Sequence, residues 1–168
     1  MTSLLPDLAV FFERDLGCLA REVSAYPDDA SLWATVPGQP TSGGNLALHL
    51  VGNLRHFIGA ALGNTGFLRD RPSEFATRDV PRAALLDAIQ IAGEEVATTL
   101  ASLPPSRLDE PFPLELGGLR PTTQGVLLHL STHLTFHLGQ LDYHRRAVTG
   151  DSTSVGPLDL KPLGRMGR

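Results

Sequence analysis

Glycine and proline punctuate this sequence in clusters, and the stretches between clusters repeat apolar residues at the period of a helix. Among 168 residues there are 17 Gly and 13 Pro. They gather at 37–44, 63–72 and 104–121, and from 150 onward. Four segments between these breaks are long enough for helices. The first spans about 6–26. Ser3 precedes it, Pro6 suits its first turn, and Leu4, Leu8, Phe11, Phe12, Cys18, Leu19, Val23 and Tyr26 form one face that Asp15 interrupts. The second spans about 45–62, with Asn45 as the expected N-cap and a stripe of Leu46, Leu50, Leu54, Phe57 and Ala61. The third spans about 81–103, with Pro81 at its first position and Leu85, Ile89, Ala92, Val96, Leu100 and Leu103 facing inward. The fourth opens at Thr122 or Thr123, runs to about Val148, and stops at Thr149-Gly150, a usual C-terminal signal.

No stretch alternates apolar and polar residues over a strand's length. The nearest, 111–119, carries prolines that demote it to a short hairpin or extended loop. Four amphipathic helices in one domain of this size predict an all-α four-helix bundle. The second and third connections are long enough for a crossover topology. The bundle is expected over 1–150, with a loosely packed tail over 151–168. Leu8, Phe11, Leu19, Leu50, Leu54, Phe57, Leu85, Ile89, Val96, Leu127 and Leu134 are the predicted core.

Composition narrows the function. The formal charge is −4, and an acidic chain lacks the basic stripe that a dedicated nucleic-acid binder needs. Lys161, Arg165 and Arg168 in the tail are too few to supply one. The single cysteine, Cys18, excludes an internal disulfide framework and a cysteine-based zinc cage, and it reads as a small core residue. No apolar run approaches the roughly 20 residues that span a bilayer. The first residues carry no basic region of a secretion signal, so a cytoplasmic protein with no membrane partner is expected.

All six histidines, His49, His56, His129, His133, His137 and His144, fall in the second and fourth helices. On the fourth, His129, His133 and His137 stand four apart. Residues at that spacing share one helical face, with about 5–6 Å between Cβ atoms. Two such imidazoles can close on one ion. Three cannot, because about 12 Å of helical rise separates His129 from His137. The helix therefore offers either His129 with His133 or His133 with His137, and a third ligand must come from the second helix. His49, between Leu48 and Leu50, is placed to face a neighbour, with Asn53 one turn on as a group that could hold it. His56 and His144 read as surface or satisfied core histidines. Trp33 and Phe136 read as packing residues.

The run His129-x-x-x-His133-x-x-x-His137-x-Gly139-Gln140 on a final helix resembles the DinB-like, damage-inducible superfamily. The similarity extends to Gly44-Asn45-Leu-Ala-Leu-His49-Leu on the second helix and to the Leu32-Trp33 and Pro37-Gly38 region. This resemblance implies a four-helix bundle with a long crossover that binds one divalent metal through His49, His133 and His137, leaving His129 out. Relatives of this kind include metal-dependent S-transferases that use bacillithiol or mycothiol, and a mycothiol-dependent maleylpyruvate isomerase.

Three imidazoles leave at least one coordination position open, as catalytic rather than structural zinc sites do. Imidazole suits several transition metals, with Zn or Ni expected here. A divalent cation lowers the pKa of a thiol or a water brought to it. Following the resemblance, the expected activity is a transferase that activates a low-molecular-weight thiol cosubstrate. The alternatives are a non-catalytic metal-binding stress-response or interaction protein and a metal-dependent hydrolase. No residue identifies a general acid or base; Asn53, Gln140, Asp142 and Tyr143 lie on the relevant helices, and Gln140 is placed to orient a ligand or face a second subunit. A bundle this small leaves apolar surface that pairing would cover, so a homodimer is expected.

Overall fold

The structure, a computed structural model, describes residues 4–165; Ser3 and Arg168 lie outside them. Six α-helices follow one another: α1 Leu5–Ser24, α2 Asp29–Trp33, α3 Gly43–Leu54, α4 Arg71–Ala76, α5 Arg82–Ser102 and α6 Thr123–Thr149. The four long ones are the expected bundle, and α2 and α4 lie in its connections. Among the described residues there is no strand. The 111–119 region makes only two single bridges, Pro111 with Thr122 and Leu116 with Leu119.

Side-chain partners give the helix directions. Asp15 meets Thr135 and Glu22 meets Arg145, so α1 and α6 run parallel. A Cβ on Gly43 would touch Leu141, whereas His49 lies against His133, so α3 and α6 are antiparallel. Arg55 pairs with Glu95, and Gly63 abuts Thr99, so the chain from α3 onward runs parallel to α5. The order is up, down, down, up. Two parallel neighbours in succession require a long return, and residues 61–81 between α3 and α5 provide it. That return contains α4.

Local signals explain most boundaries, and three differ from expectation. Ser42, not Asn45, caps α3. Its Oγ accepts from the Asn45 N–H, while the Asn45 side chain accepts from Ser42 in return, the reciprocal arrangement of a capping box. Pro81 is the N-cap of α5 rather than its first helical residue. The second helix does not stay α-helical to residue 62, because Arg55–Ala60 forms a π-helical turn. Thr122 caps α6, and Gly150, at φ +71°, ends it in the left-handed conformation that favours glycine.

The core is continuous through all four long helices, and nine of the eleven predicted core residues are buried. Phe11 and Phe57 are only half-buried. The Arg14 guanidinium lies 5.0 Å from the Phe11 ring, at the outer edge of α1. Phe57 sits on the π-helical turn, whose wider winding rotates it off the α-helical stripe, and Arg69 lies 5.8 Å from its ring. Trp33 packs as expected. Phe136 does not: it is 63% exposed. Gly139 stands on the same outer face of α6, with nothing within 4 Å of where a Cβ would be. Mid-helix glycine costs about 1 kcal/mol relative to alanine, and no contact within the chain requires it.

Polar groups buried between α1 and α6 lock the two helices in register. Asp15, which broke the apolar stripe, receives hydrogen bonds from Arg14 (2.6 Å) and Thr135 (2.8 Å). Arg145 is fully buried and donates to Glu22 (2.7 Å) and Asp142 (3.1 Å). It also donates to the Thr153 carbonyl, and Arg21 donates to the carbonyls of Val155 and Gly156. The tail is thus tied down over its first residues rather than loose throughout. Burial pushes the Glu22 carboxyl up, and Arg145 opposes that shift. Removing one member of a buried pair strands the other, at about 3–5 kcal/mol. Arg145→Ala should lose stability of that order in urea unfolding; a loss below about 1 kcal/mol would show that Glu22 is buried uncharged.

His144 is a satisfied core histidine. Tyr26 Oη lies 2.7 Å from its Nδ1, and its Nε2 lies 3.0 Å from the Ala34 carbonyl. The neutral ring serves both, accepting from the phenol and donating to the carbonyl. Burial holds its pKa below the ordinary 6.5, against the weaker pull of the Ala34 bond. The unfolded chain therefore takes up this proton first. The His144 contribution to stability is complete above the unfolded pKa and is lost as pH falls below it, by up to about 1.4 kcal/mol per pH unit. Metal-free His144→Gln should show a smaller drop in unfolding free energy between pH 7.5 and 5.5 than the parent chain. Equal drops would disprove the linkage.

Candidate metal centre

His49 occupies the middle of α3, and His133 and His137 occupy successive turns of α6. Antiparallel packing brings them together. His49 Nε2 lies 3.3 Å from His133 Nε2, and His137 Nε2 lies 3.1 Å from the same atom. All three ligand atoms fall within 4.8 Å of one another, and among the described residues this is the one such group of metal-ligating side chains. His129 is exposed, its ring 6.0 Å from that of His133, and does not join. His144 is elsewhere in the core. His56 lies on the π-helical turn, its Nδ1 buried without a partner.

Two of the three rings are held from behind. His49 Nδ1 is 2.9 Å from Glu74 Oε2. Arg69 grips the same carboxylate with two bonds, Nε to Oε1 at 2.6 Å and Nη2 to Oε2 at 2.9 Å. Arg69 Nη2 also comes within 3.3 Å of His49 Nδ1, but both cannot be donors to each other. The shorter contact to a carboxylate assigns the proton to Nδ1, donated to Glu74. His137 Nδ1 is 2.6 Å from Gln140 Oε1 and is likewise the donor. Both rings then present a bare Nε2 lone pair inward, which is how carboxylate and amide partners orient metal-ligating histidines.

Glu74 reaches His49 because the return segment is pinned to α3. The Asn45 amide donates to the carbonyls of Glu74 (2.9 Å) and Thr77 (3.0 Å). Gly52 leaves the room, since a Cβ there would overlap the Glu74 carboxylate. Asp70 caps α4 through the Ser73 N–H. The expected support for His49 was Asn53, and the structure does not provide it: Asn53 Oδ1 is buried with no partner. Arg69 and Glu74 were missed because 63–80 read as a plain loop. The signal available was Asp70-Arg71-Pro72-Ser73-Glu74, a helix start with an N-cap and an early proline. Gln140 does orient a ring of the group.

The electrostatics disfavour the charged forms of His133 and His49. Burial pushes the His133 pKa down to about 4, helped by His137, His49, His129 and Arg69. Burial also lowers His49, against the opposing pull of Glu74. His133 has no internal solution to its bonding: its Nδ1 is buried without a partner, and its Nε2 faces two lone pairs. One proton on Nε2 can serve only one of them. A cation at the point of convergence would serve all three. Ligand nitrogens about 2.0–2.1 Å from a tetrahedral zinc stand about 3.3 Å apart, close to the spacings observed. The residues therefore fit a divalent metal.

The group is open on one side. His49 is 6% exposed, but His133 and His137 are half-exposed, flanked by Phe136 and Gln140. Neither of two cavities opens on the nitrogens. One, about 880 Å³, lies between α1 and α5 on the far side of the bundle. The other, about 320 Å³, lies behind Glu74, bordered by Val51, Gly52 and Ala88.

An all-α bundle with three histidines converging from its second and last long helices defines a class, and comparison with known families agrees. The model of the DinB superfamily matches residues 12–141, and the chain belongs to that superfamily. Comparison with curated proteins and with solved structures gave no match. Among the described residues, no helix is long and apolar enough to cross a membrane.

The Gly52–Glu74 contact is testable. Gly52→Ala should displace the carboxylate, so that a His49 Nδ1–H resonance expected to exchange slowly in the parent chain broadens away. Zn²⁺ affinity in chelator competition should fall about 10–100-fold. An unchanged resonance and affinity would mean that Glu74 does not hold the ring.

Proposed function

We propose that His49, His133 and His137 bind one divalent metal ion per chain, with Zn or Ni the best suited, and that the protein is a metal-dependent transferase acting with a low-molecular-weight thiol. The observation that carries the metal reading is the convergence of three Nε2 atoms around a histidine whose own hydrogen bonding is unsatisfied. The resemblance to thiol-dependent relatives supports the transferase.

When bound, a divalent cation favours the thiolate over the thiol and so supplies a nucleophile near neutral pH. The protein's own residues do the rest. Glu74 and Gln140 each keep a proton on Nδ1, so His49 and His137 never turn a donor toward the centre. Arg69 holds the Glu74 carboxylate in place with two hydrogen bonds. Phe75, 5.1 Å from the His49 ring, shields it from water. The half-exposed His133 and His137 leave the approach to the centre from solvent.

A second reading, a metal-binding protein without turnover, is favoured by the position of both cavities away from the nitrogens. The two readings separate experimentally. The purified chain should bind one equivalent of metal; His133→Ala should bind none, and His144→Gln should bind as the parent does. Equal metal content in the parent and His133→Ala would refute the site. In the cobalt form, a small thiol such as cysteine should add a sulfur-to-metal charge-transfer band, and thiol addition to an electrophile should require His49, His133 and His137 together. Metal binding without either signal would establish the non-catalytic protein. Ester cleavage that needs metal but no thiol would establish a hydrolase.

A further inference from the structure

Each ring of the histidine group has a second nitrogen to satisfy. Glu74 receives the Nδ1–H of His49, and Gln140 receives that of His137. His133 has no such partner: its Nδ1 is buried and unbonded. One turn beyond His49 on α3, Asn53 is 7% exposed, and its Oδ1 is buried and unbonded as well. Buried polar atoms without partners are rare. Among the described residues four side-chain atoms are in that state, and two of the four belong to Asn53 and His133.

The helix geometry puts these two residues side by side. The helices α3 and α6 are antiparallel, and the His49 ring lies 5.2 Å from that of His133 and 5.1 Å from that of His137, level with the gap between them. Asn53 stands about 6 Å further along α3. In an antiparallel pair that step leads back toward the start of α6, to the turn that carries His133. Helical side chains lean toward the N-terminus of their own helix, so Asn53 and His133 lean toward one another's level. Asn53 also shares the face of His49, about 40° around the axis from it, and turns to α6 as His49 does.

The chemistry of the two atoms explains why they are unbonded and what would join them. His133 Nε2 stands 3.3 Å and 3.1 Å from the Nε2 atoms of His49 and His137, both of them bare lone pairs. The single proton of a neutral His133 ring therefore sits on Nε2, and Nδ1 is a bare acceptor. Asn53 Oδ1 is also an acceptor, and two acceptors do not bond. Given the metal reading of the site above, we propose that loading the site switches the His133 tautomer and thereby engages Asn53. With Nε2 committed to the ion, the proton passes to Nδ1, and Nδ1–H donates to Asn53 Oδ1, directly or across one water. The ring stays neutral, and no proton is gained or lost. Asn53 is thus the positioning residue for the third ligand, as Glu74 and Gln140 are for the other two. Unlike them, it acts only in the loaded protein; in the metal-free chain it is a buried acceptor facing another.

Ring-nitrogen NMR spectra of the isotope-labelled full chain, with chelator and with Zn²⁺, test the switch. In the parent, His133 should carry its proton on Nε2 with chelator and on Nδ1 with Zn²⁺, while His49 and His137 keep Nδ1–H in both. Asn53→Leu replaces the acceptor with apolar atoms. It should weaken Zn²⁺ binding about 10–100-fold in chelator competition. With chelator present it should unfold at no lower urea concentration than the parent, because a buried unpaired polar atom is gone. Asn53→Asp keeps the acceptor. It should hold Zn²⁺ at least as tightly as the parent, yet unfold at lower urea with chelator present, because it buries a charge. A merely structural asparagine would move affinity and metal-free stability in the same direction in both variants, and that result would overturn the proposal. His56→Gln, a further turn along α3, should leave Zn²⁺ affinity unchanged. A parent that binds Zn²⁺ without relocating the His133 proton, or Asn53→Leu with parental affinity, would overturn the role of Asn53 and leave the metal site standing. A parent that binds no Zn²⁺ would overturn both.

Discussion

The contact between α3 and α6 buries imidazoles, and much of the surrounding structure supports them. Burying imidazoles at a helix–helix interface forfeits their hydration, and the depressed pKa values of His49 and His133 express that cost. The interface tolerates it because the polar groups are ordered outward in sequence. Arg69 neutralises Glu74, Glu74 fixes His49, and His49 faces His133. Each member satisfies the next, and only the innermost, His133, is left short. The structural elements follow from this chain of dependence. α4 exists where Glu74 must be delivered, Asn45 spends its amide on holding α4 in place, and Gly52 gives up a side chain to admit the carboxylate.

Topology makes that delivery possible. Because α3 and α5 run parallel, the chain must travel the length of the bundle between them, and it does so across the outer side of α3. An up-down-up-down bundle with tight turns would have no segment there, and His49 would lean on solvent. The long crossover thus gives the site a support that the four principal helices lack.

How legible this was in the sequence depends on the range of the signal. Helix existence and the buried stripes rest on local periodicity, and α1, α5 and α6 fall within a few residues of expectation. The π-helical turn was not legible, since Arg55–Ala60 continues the same apolar pattern; in the fold its Arg55 meets Glu95 and Phe67. Phe57 was misplaced for that reason. The spacing of His129, His133 and His137 limited the ligand pair to two choices but could not choose, because the choice depends on the α3–α6 register. Asn53 was the natural support for His49 under helical spacing alone. Glu74, 25 residues away, could replace it only through a fold in which the connection doubles back, and nothing local encodes that. Asp15 reads as a break in a pattern, yet it and Arg145 are groups that fix it.

The position of His133 and His137 is set far from the nitrogens themselves. A shift of α6 by one residue would turn its faces by about 100° and carry both rings out of reach of His49. Three contacts with the rest of the bundle prevent this: Thr135 on Asp15, Arg145 on Glu22, and His144 between Tyr26 and the Ala34 carbonyl. Each is polar, buried and directional, so a slipped register would leave donors and acceptors unpaired at a penalty that an apolar seam would not impose. A purely leucine-lined α6 would bury as much area but would hold its rotation less tightly. The buried polar residues along α1 therefore serve the histidine group at a distance: they hold two of its three rings in place before any ion arrives, so that binding need not also order the helix.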